Sequence, residues 1–327
     1  MTILIIGGGV FVGRALVEAA LAQGHPLTTF SRGNSPLPRA TEIESIIGDR
    51  NQDLNKLVGR KWDAVIDTCA YRPEEVTSLC QAIGTATGHY TLISSISAYG
   101  DPARVGLSET HALSKPLTAP GPEITAKNYG PLKAAAELSA AAFAQTLIIR
   151  PGIIAGPYDP TDRMTYWVNL IEQQSHILVP TGLPSCPVQL IDVRDLASWV
   201  IAQIERSATG ACNAVGPQQP ITMGEMFTAI AAGLGKTVTT EERTPDSLTA
   251  LGANPKTDFP LHIPVESERG GLFQVSGQKS WASGLVNRPV RDTARDTAAW
   301  FNQNRTEPPK VGWLAEQMAA AVQRTGK

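Results

Sequence analysis

The sequence predicts an α/β protein, a doubly wound parallel sheet followed by a smaller C-terminal domain, and three observations carry that prediction. Six short apolar runs with almost no polar alternation occur in the first 150 residues, separated in several places by stretches of helical periodicity. Strands that are apolar throughout belong in a parallel sheet covered on both faces. The first run delivers the chain straight into a glycine cluster, ILIIGGGVFVG at 3–13, and a helix follows it at once. Past Arg150 the composition changes, with proline and glycine concentrating in RPGIIAGPYDP and VPTGLPSCP.

In chain order, Thr2–Ile6 reads as the first strand, and FVGRALVEAALAQG as a helix ended by Gly24. Strands are expected at 27–30, 43–47, 64–69, 90–95 and 146–151, and helices at 73–87 and 131–144. The segment VQLIDVRDLASWVIAQIE returns as strand plus helix, MGEMFTAIAAGLG and VRDTARDTAAWFNQN read as helices, and a last helix is expected from Gly312. These elements divide the chain into a first domain over 1–155, revisited near 186–217, and a smaller one formed by 156–185 and 218–327. No internal repeat or low-complexity tract interrupts the pattern.

A chain of 327 residues at 42% hydrophobic content can bury a substantial core. Its 28 Lys and Arg against 30 Asp and Glu advertise no polyanion-seeking surface, so nucleic acid is not expected as a partner. No apolar stretch is long enough for a membrane span or a signal segment, and a cytoplasmic protein is expected. Cys69, Cys80, Cys186 and Cys212 are scattered without CxxC or neighbouring His, which excludes a zinc pattern and leaves them as buried apolar residues. No metal site is expected.

A strand running into Gly7, Gly8 and Gly9, with Gly13 opening a helix, makes a turn free to adopt positive φ, with backbone N–H groups aimed above the helix N-terminus. A diphosphate suits that cradle, although glycine-rich turns also occur for structural reasons alone. Val10 occupies the place of the middle glycine in the simplest dinucleotide fingerprint. The second strand ends TTFSRG, where the residue reading the adenosine ribose is expected. No acidic residue stands there. Ser31 and Arg32 do, and a guanidinium can hold a 2′-phosphate, so NADP(H) is preferred and NAD(H) remains possible. The alternative is that Arg32 is a solvated loop residue.

NYGPLKAAAE places Tyr129 and Lys133 four residues apart, on one face at the start of a helix. An ammonium beside a phenol favours the phenolate and draws its pKa towards neutrality, which would suit Tyr129 to general acid–base work. LISSISAYG ends the fifth strand at the sheet edge where open α/β folds bind ligands, and offers Ser94, Ser95 and Ser97.

On GGGVFVG, GDR at 48–50, DTCAY at 67–71, SSISAYG at 94–100, YGPLK at 129–133, RPGIIAGP at 150–157 and IDVRDLA at 191–197, the chain resembles the short-chain dehydrogenase/reductase superfamily, in its extended or atypical epimerase- and reductase-like branch. The resemblance implies a Rossmann-type sheet and a C-terminal substrate domain. It implies Ser95 as the catalytic serine, Tyr129 as the proton donor or acceptor, and Lys133 as both the tuner of Tyr129 and a ligand of the nicotinamide ribose. It places Gly7 to Gly13, through Val10, Phe11 and Val12, at the diphosphate, Asp49 and Arg50 beside the adenine, Cys69 and Ala70 on the diphosphate side, and Pro151 to Ile153 at the nicotinamide. Val10 and the unmatched residues after 156 depart from the family pattern.

Three functions follow as expectations: an NADPH-dependent reductase of a small-molecule carbonyl, a nucleotide-sugar-type epimerase with a retained nicotinamide, and a dinucleotide-sensing or RNA-associated regulator. Ser95, Tyr129 and Lys133 together favour an enzyme, since a sensor has no use for a tuned phenol. Ile96 and Ser97 stand where dehydratases of this kind usually carry an acidic pair. The five histidines are expected to be ordinary surface or loop residues. Tyr71, Tyr158, Arg163 and Trp167 suit either a pocket wall or domain packing, and Asp192, Arg194 and Asp195 an ion-pair brace between domains. The small Ala face of the 131–144 helix suits a homodimer, unless it is buried within the chain.

Overall fold

The computed structural model describes residues 1–84, 87–117 and 121–325. Seven parallel strands form the central sheet: β1 (Ile3–Ile6), β2 (Leu27–Ser31), β3 (Glu44–Ile47), β4 (Ala64–Asp67), β5 (His89–Ile93), β6 (Thr146–Pro151) and β11 (Gly210–Ala214). Their spatial order is β11-β6-β5-β4-β1-β2-β3. The chain winds outward from β1 to β3, crosses back to β4 on the other side of β1, and continues to the opposite edge. The reversal opens a crevice at the C-terminal ends of β1 and β4, the switch point at which such sheets bind ligands.

The helices explain why these strands are apolar on both faces. Along β1 successive side chains point to opposite sides. Ile3 and Ile5 enter the core beneath α1 (Phe11–Ala22) and α5 (Val193–Glu205), with Leu16, Leu196 and Val200. Leu4 and Ile6 enter the core beneath α2 (Pro73–Ile83) and α3 (Tyr129–Ser139), with Val76, Leu79 and Ala136. Helix α2 ends at Ile83 rather than 87; Gly84 takes φ +79 after it, and residues 85 and 86 lie outside the described residues. Helix α3 is also shorter than expected and passes into a 3₁₀ turn over Ala140–Ala142. Its alanines 134, 136 and 140 are fully buried within the chain, so this face gives no support to a dimer.

A second core surrounds Trp167 of α4 (Arg163–Gln173), whose ring lies 4.6 Å from that of Phe227 and 4.9 Å from that of Tyr166. Trp167 is therefore packing, not pocket wall. Around it lie α6 (Met223–Gly233), opened by a Thr222–Glu225 capping box, α9 (Val290–Asn304) and α10 (Ala315–Thr325). Three two-stranded pairs complete this part. They are β7 (Ile153–Ala155) with β10 (Leu190–Asp192), β8 (His176–Pro180) with β13 (Thr239–Arg243), and β9 (Pro187–Val188) with β12 (Ile221–Thr222). The return to the main sheet is made by α5 and β11; β9 and β10 pair elsewhere. A later excursion was not anticipated. Lys279 and Trp281, on a short helix at Gln278–Ala282, hydrogen-bond the carbonyls of Ala211 and Val215 at 2.6 and 3.1 Å.

The expected brace is present. Asp192 binds Arg194 at 2.7 Å and the Thr293 hydroxyl at 2.8 Å, Arg194 reaches Asp296 at 2.6 Å, and Arg288 reaches Asp195 at 2.6 Å. It ties the start of α5 to the start of α9. Cys80, Cys186 and Cys212 are buried, whereas Cys69 is only partly so, and all four are free thiols. His89 departs from expectation: it is buried in β5, with Nε2 2.7 Å from the Ala208 carbonyl. Among the described residues no helix is long and apolar enough to cross a membrane, and no group of three acidic, His or Cys side chains is placed to hold a metal.

Candidate active site

At the switch point lies a cavity of about 540 Å³. Gly7, Gly9, Val10, Phe11, Val12 and Gly13 form one wall, Ser31 and Arg32 at the end of β2 another, and Asp49, Arg50, Thr68, Cys69 and Tyr71 the rest, with Pro160 at its edge. Two glycines are dictated by geometry. Gly7 has φ +91, and a Cβ there would meet the Thr68 hydroxyl at 2.6 Å. A Cβ on Gly13 would stand 2.0 Å from the carbonyl oxygen of Gly7, so the first turn of α1 can close on the loop only without a side chain. Val10 needs no such freedom. Its φ of −126° and ψ of 138° are ordinary extended values, and its side chain points outward, 52% exposed. Gly8 does not line the cavity; it packs between Thr29 and Val17. A glycine cradle that a single Cβ would fill, at a helix N-terminus and opening into a cavity of this volume, fits the diphosphate of a dinucleotide.

Ser31 and Arg32 both line this space, and Arg32 is exposed, with no side-chain partner among the described residues. Asp49 accepts a hydrogen bond from the Asn51 N–H at 2.8 Å and its own N–H donates to Asp53. Arg50 lines the cavity, but its guanidinium is engaged below it: Nη1 and Nη2 bind the two oxygens of Asp67 at 2.8 and 3.0 Å, and Nη2 also donates to the Glu75 carbonyl. Burial works against that charge, and Asp67 outweighs it, so Arg50 is held firmly protonated. The resemblance placed Arg50 against the adenine. Its side chain is instead a structural partner of Asp67, and only its edge is offered to a ligand. Asp67 further receives the Tyr90 hydroxyl at 3.2 Å. Burial pushes the Cys69 thiol up to about 11. Neither Asp67 nor Glu75 was singled out as a site residue, although Asp67 opens the DTCAY motif and Glu75 belongs to the acidic pair opening α2.

Tyr129 is the first residue of α3, and Pro131 falls in the first turn, where the missing N–H costs nothing. Gly130 permits a close approach, because a Cβ there would lie 2.1 Å from the Ser97 carbonyl. Lys133, one turn on, is 2% exposed, and its Nζ donates to the carbonyls of Ala70 and Ile93 at 2.9 and 2.8 Å. It also stands 4.7 Å from the centre of the Tyr71 ring, which in turn lies 6.3 Å from the Tyr129 ring. Burial, partly offset by the field of Asp67, lowers the ammonium to about 8. Ala70 thus serves through its carbonyl and is itself fully buried, away from the cavity.

The expectation that Lys133 draws down the Tyr129 phenol is not met in this arrangement. Burial raises the Tyr129 pKa, and the two influences that oppose it are the hydrogen-bonding hydroxyl of Ser95 and the charge of Arg163. Ser95 also accepts the Ser97 N–H at 3.1 Å, while Ser94 is buried against Glu137. Ser95, Tyr129 and Lys133 are therefore brought together at the C-terminal end of β5, with Tyr71 linking them to the cavity. Pro151 is buried at the end of β6, and Ile153 pairs with Leu190 in the second region; neither lines the cavity.

A glycine cradle beside a serine, a tyrosine and a lysine at the switch point of a doubly wound parallel sheet defines a Rossmann-like α/β protein. The chain belongs to the NAD-dependent epimerase/dehydratase family, whose description matches residues 3–215. Among solved structures it is similar to a putative epimerase from Burkholderia cenocepacia J2315, with 18% identity over 91% of this chain and 97% of that one and a TM-score of 0.68. It is similar too to the Bordetella bronchiseptica enzyme WbmH, solved with NAD+, at 14% identity over 93% and 98% of the two chains and a TM-score of 0.68. The UDP-glucuronic acid 4-epimerase of Bacillus cereus, solved with NAD, shares 17% identity over 93% and 97%, with a TM-score of 0.65. No curated protein matches.

Proposed function

We propose that this protein is an NAD(P)-dependent oxidoreductase of the short-chain dehydrogenase/reductase type that interconverts a carbonyl and a secondary alcohol on a small molecule. The observation that carries the reading is the grouping of Ser95, Tyr129 and Lys133 beside the glycine-walled cavity. When bound, the nicotinamide supplies or accepts the hydride. Tyr129 exchanges a proton with the reacting oxygen, and Ser95 orients that oxygen and shares the charge. Lys133 spends two of its three N–H donors on Ala70 and Ile93, which leaves one for a ribose hydroxyl. Arg32, which lines the cavity without a side-chain partner among the described residues and stands where an acidic residue would repel a 2′-phosphate, supports NADP(H) over NAD(H).

The direct test titrates the purified chain with NADPH and NADH, followed by fluorescence, on wild type and Arg32→Ala. NADPH binding that weakens by about tenfold in the variant, with NADH unmoved, is the expected result. Failure of both dinucleotides to bind would leave the glycines as a structural turn and remove the enzyme reading. Carbonyl substrates are then screened with Tyr129→Phe as the inactive control.

A second reading, a nucleotide-sugar-type epimerase with a retained cofactor, is supported by the family match and by the epimerases among the similar folds. Turnover without net consumption of the dinucleotide, with inversion at a carbinol carbon, would select it.

A further inference from the structure

Tyr71 is where Lys133 and the cavity meet. Lys133 is 2% exposed and does not line the cavity, whereas Tyr71 lines it and is 36% exposed. The Lys133 ammonium lies over the Tyr71 ring, 4.7 Å from its centre. The same ring is 6.3 Å from that of Tyr129 and inclined to it by 50°.

The attachment of Tyr71 is uneven. Its backbone is fixed: the Tyr71 and Arg72 N–H groups both donate to the Glu75 carboxylate, at 2.7 and 2.9 Å, where α2 begins. Its hydroxyl has no hydrogen-bond partner among the described residues. Those of Tyr90, Tyr99 and Tyr166 are bound to Asp67, to Asn213 and to the Trp313 N–H. A ring whose one polar attachment is the attraction of a cation for its face can change rotamer while the helix beside it stays in place.

Two of the three N–H donors of Lys133 are taken by carbonyls, and the ring covers the ammonium that a ribose hydroxyl in the cavity has to reach. Resting on the proposed role of Lys133 as a ligand of that ribose, we propose that Tyr71 is an aromatic gate. Its ring covers Lys133 as the structure stands, and turns aside for the ribose of a nicotinamide dinucleotide, so that a cation–π contact is exchanged for a hydrogen bond from the ammonium to a hydroxyl. Tyr71 is thus a positioning residue that acts through Lys133 and not on the reacting oxygen. Because the ring must be displaced before the ribose can dock, the dinucleotide binds more weakly than it would to a permanently open site.

The test titrates the full chain with NADPH and with 2′,5′-ADP, which carries the adenosine half of NADPH and lacks the second ribose. If NADH binds more tightly, NADH and 5′-ADP replace them. Tyr71→Ala is expected to tighten the dinucleotide about tenfold and to leave the half-molecule unchanged, and Tyr71→Phe, which keeps the ring face, to match wild type. In a Lys133→Met background, where the ring has no cation to cover, Tyr71→Ala should bring no gain. Tyr71→Leu repeats the test with more apolar bulk in case Tyr71→Ala folds poorly, and the half-molecule reports in each variant that the nucleotide site is intact. Dinucleotide affinity unchanged or weaker in both Tyr71→Ala and Tyr71→Leu, or a gain that persists without Lys133, would overturn the gate while leaving the proposed function in place. Failure of wild type to bind any dinucleotide would remove that function, and the gate with it.

Discussion

Arg50 and Asp67 meet in a two-point ion pair at the floor of the cavity, Nη1 and Nη2 each on its own carboxylate oxygen. Asp67 is fully buried at the end of β4 and Arg50 nearly so, and they come from segments 17 residues apart. Removing one partner strands the other charge. Asp67→Asn is expected to destabilise the protein by about 3 kcal/mol, read by denaturant unfolding, and to loosen the ends of β4 and α2 together. A variant as stable as wild type would mean that water relieves Arg50.

The contact between Gly13 and Gly7 makes a second prediction. Gly13→Ala places a methyl group 2.0 Å from a carbonyl oxygen, so α1 must retreat from the loop. A loss of about 2 kcal/mol in stability is expected from the forced shift, together with loss of dinucleotide binding, measured by melting and by titration. Binding that survives the substitution would show that the loop does not need its present closeness.

Lys133 links stability to alkaline pH. Its folded value of about 8 lies below the ordinary 10.5, so between those limits the unfolded chain holds more protons than the folded one. Stability contributed by this residue therefore rises as pH rises through that window, is fully present above 10.5, and is lost as pH falls through about 8. Cys69, raised from 9.0 to about 11, acts with the opposite sign, so the comparison must be wild type against Lys133→Met. The difference in unfolding free energy between them should shift in favour of wild type from pH 8 to 10; a flat difference would mean that the ammonium is better solvated than its burial indicates.

Behind the site, Tyr99 donates to Asn213 Oδ1 at 2.7 Å and accepts from Arg150 at 3.0 Å, while Arg150 grips Glu137 on α3 at 2.7 Å. Tyr99→Phe preserves the ring and removes both bonds. A cost of about 1–3 kcal/mol is expected from the acceptor and donor left behind, measured by denaturant unfolding. Because Glu137 lies one turn after Lys133, the same variant should also lower turnover if this network positions α3.

The first six strands of the central sheet, their alternation with helices and the glycine turn were legible in the linear sequence, because they rest on local facts; β11, which closes the sheet edge, was not. Unbroken apolar runs must be covered on both faces, and a glycine at position 13 must serve a close approach whatever the rest of the fold does. The Tyr129–Lys133 spacing was legible for the same reason, since one helical turn brings both to one face. Helix ends were less so. The sequence pattern carried α2 to 87 and placed the start of the catalytic-edge helix at 131, whereas α2 ends at Ile83 and α3 begins at Tyr129.

Partnerships between distant segments were decided only by the tertiary structure. Nothing local says that Arg50 belongs to Asp67 instead of a ligand, that Lys133 is bound by the carbonyls of Ala70 and Ile93, or that the charge acting on Tyr129 is Arg163, 34 positions on. Periodicity and spacing determine which face a residue occupies, because backbone geometry repeats over a few residues. They do not determine which charges are desolvated together, because that depends on which chain segments meet when the sheet closes and the second core packs against it. Sequence alone thus carried a parallel α/β sheet and a glycine turn and proposed a set of site residues; the fold decided which of those residues are spent on holding the protein together and which line the cavity.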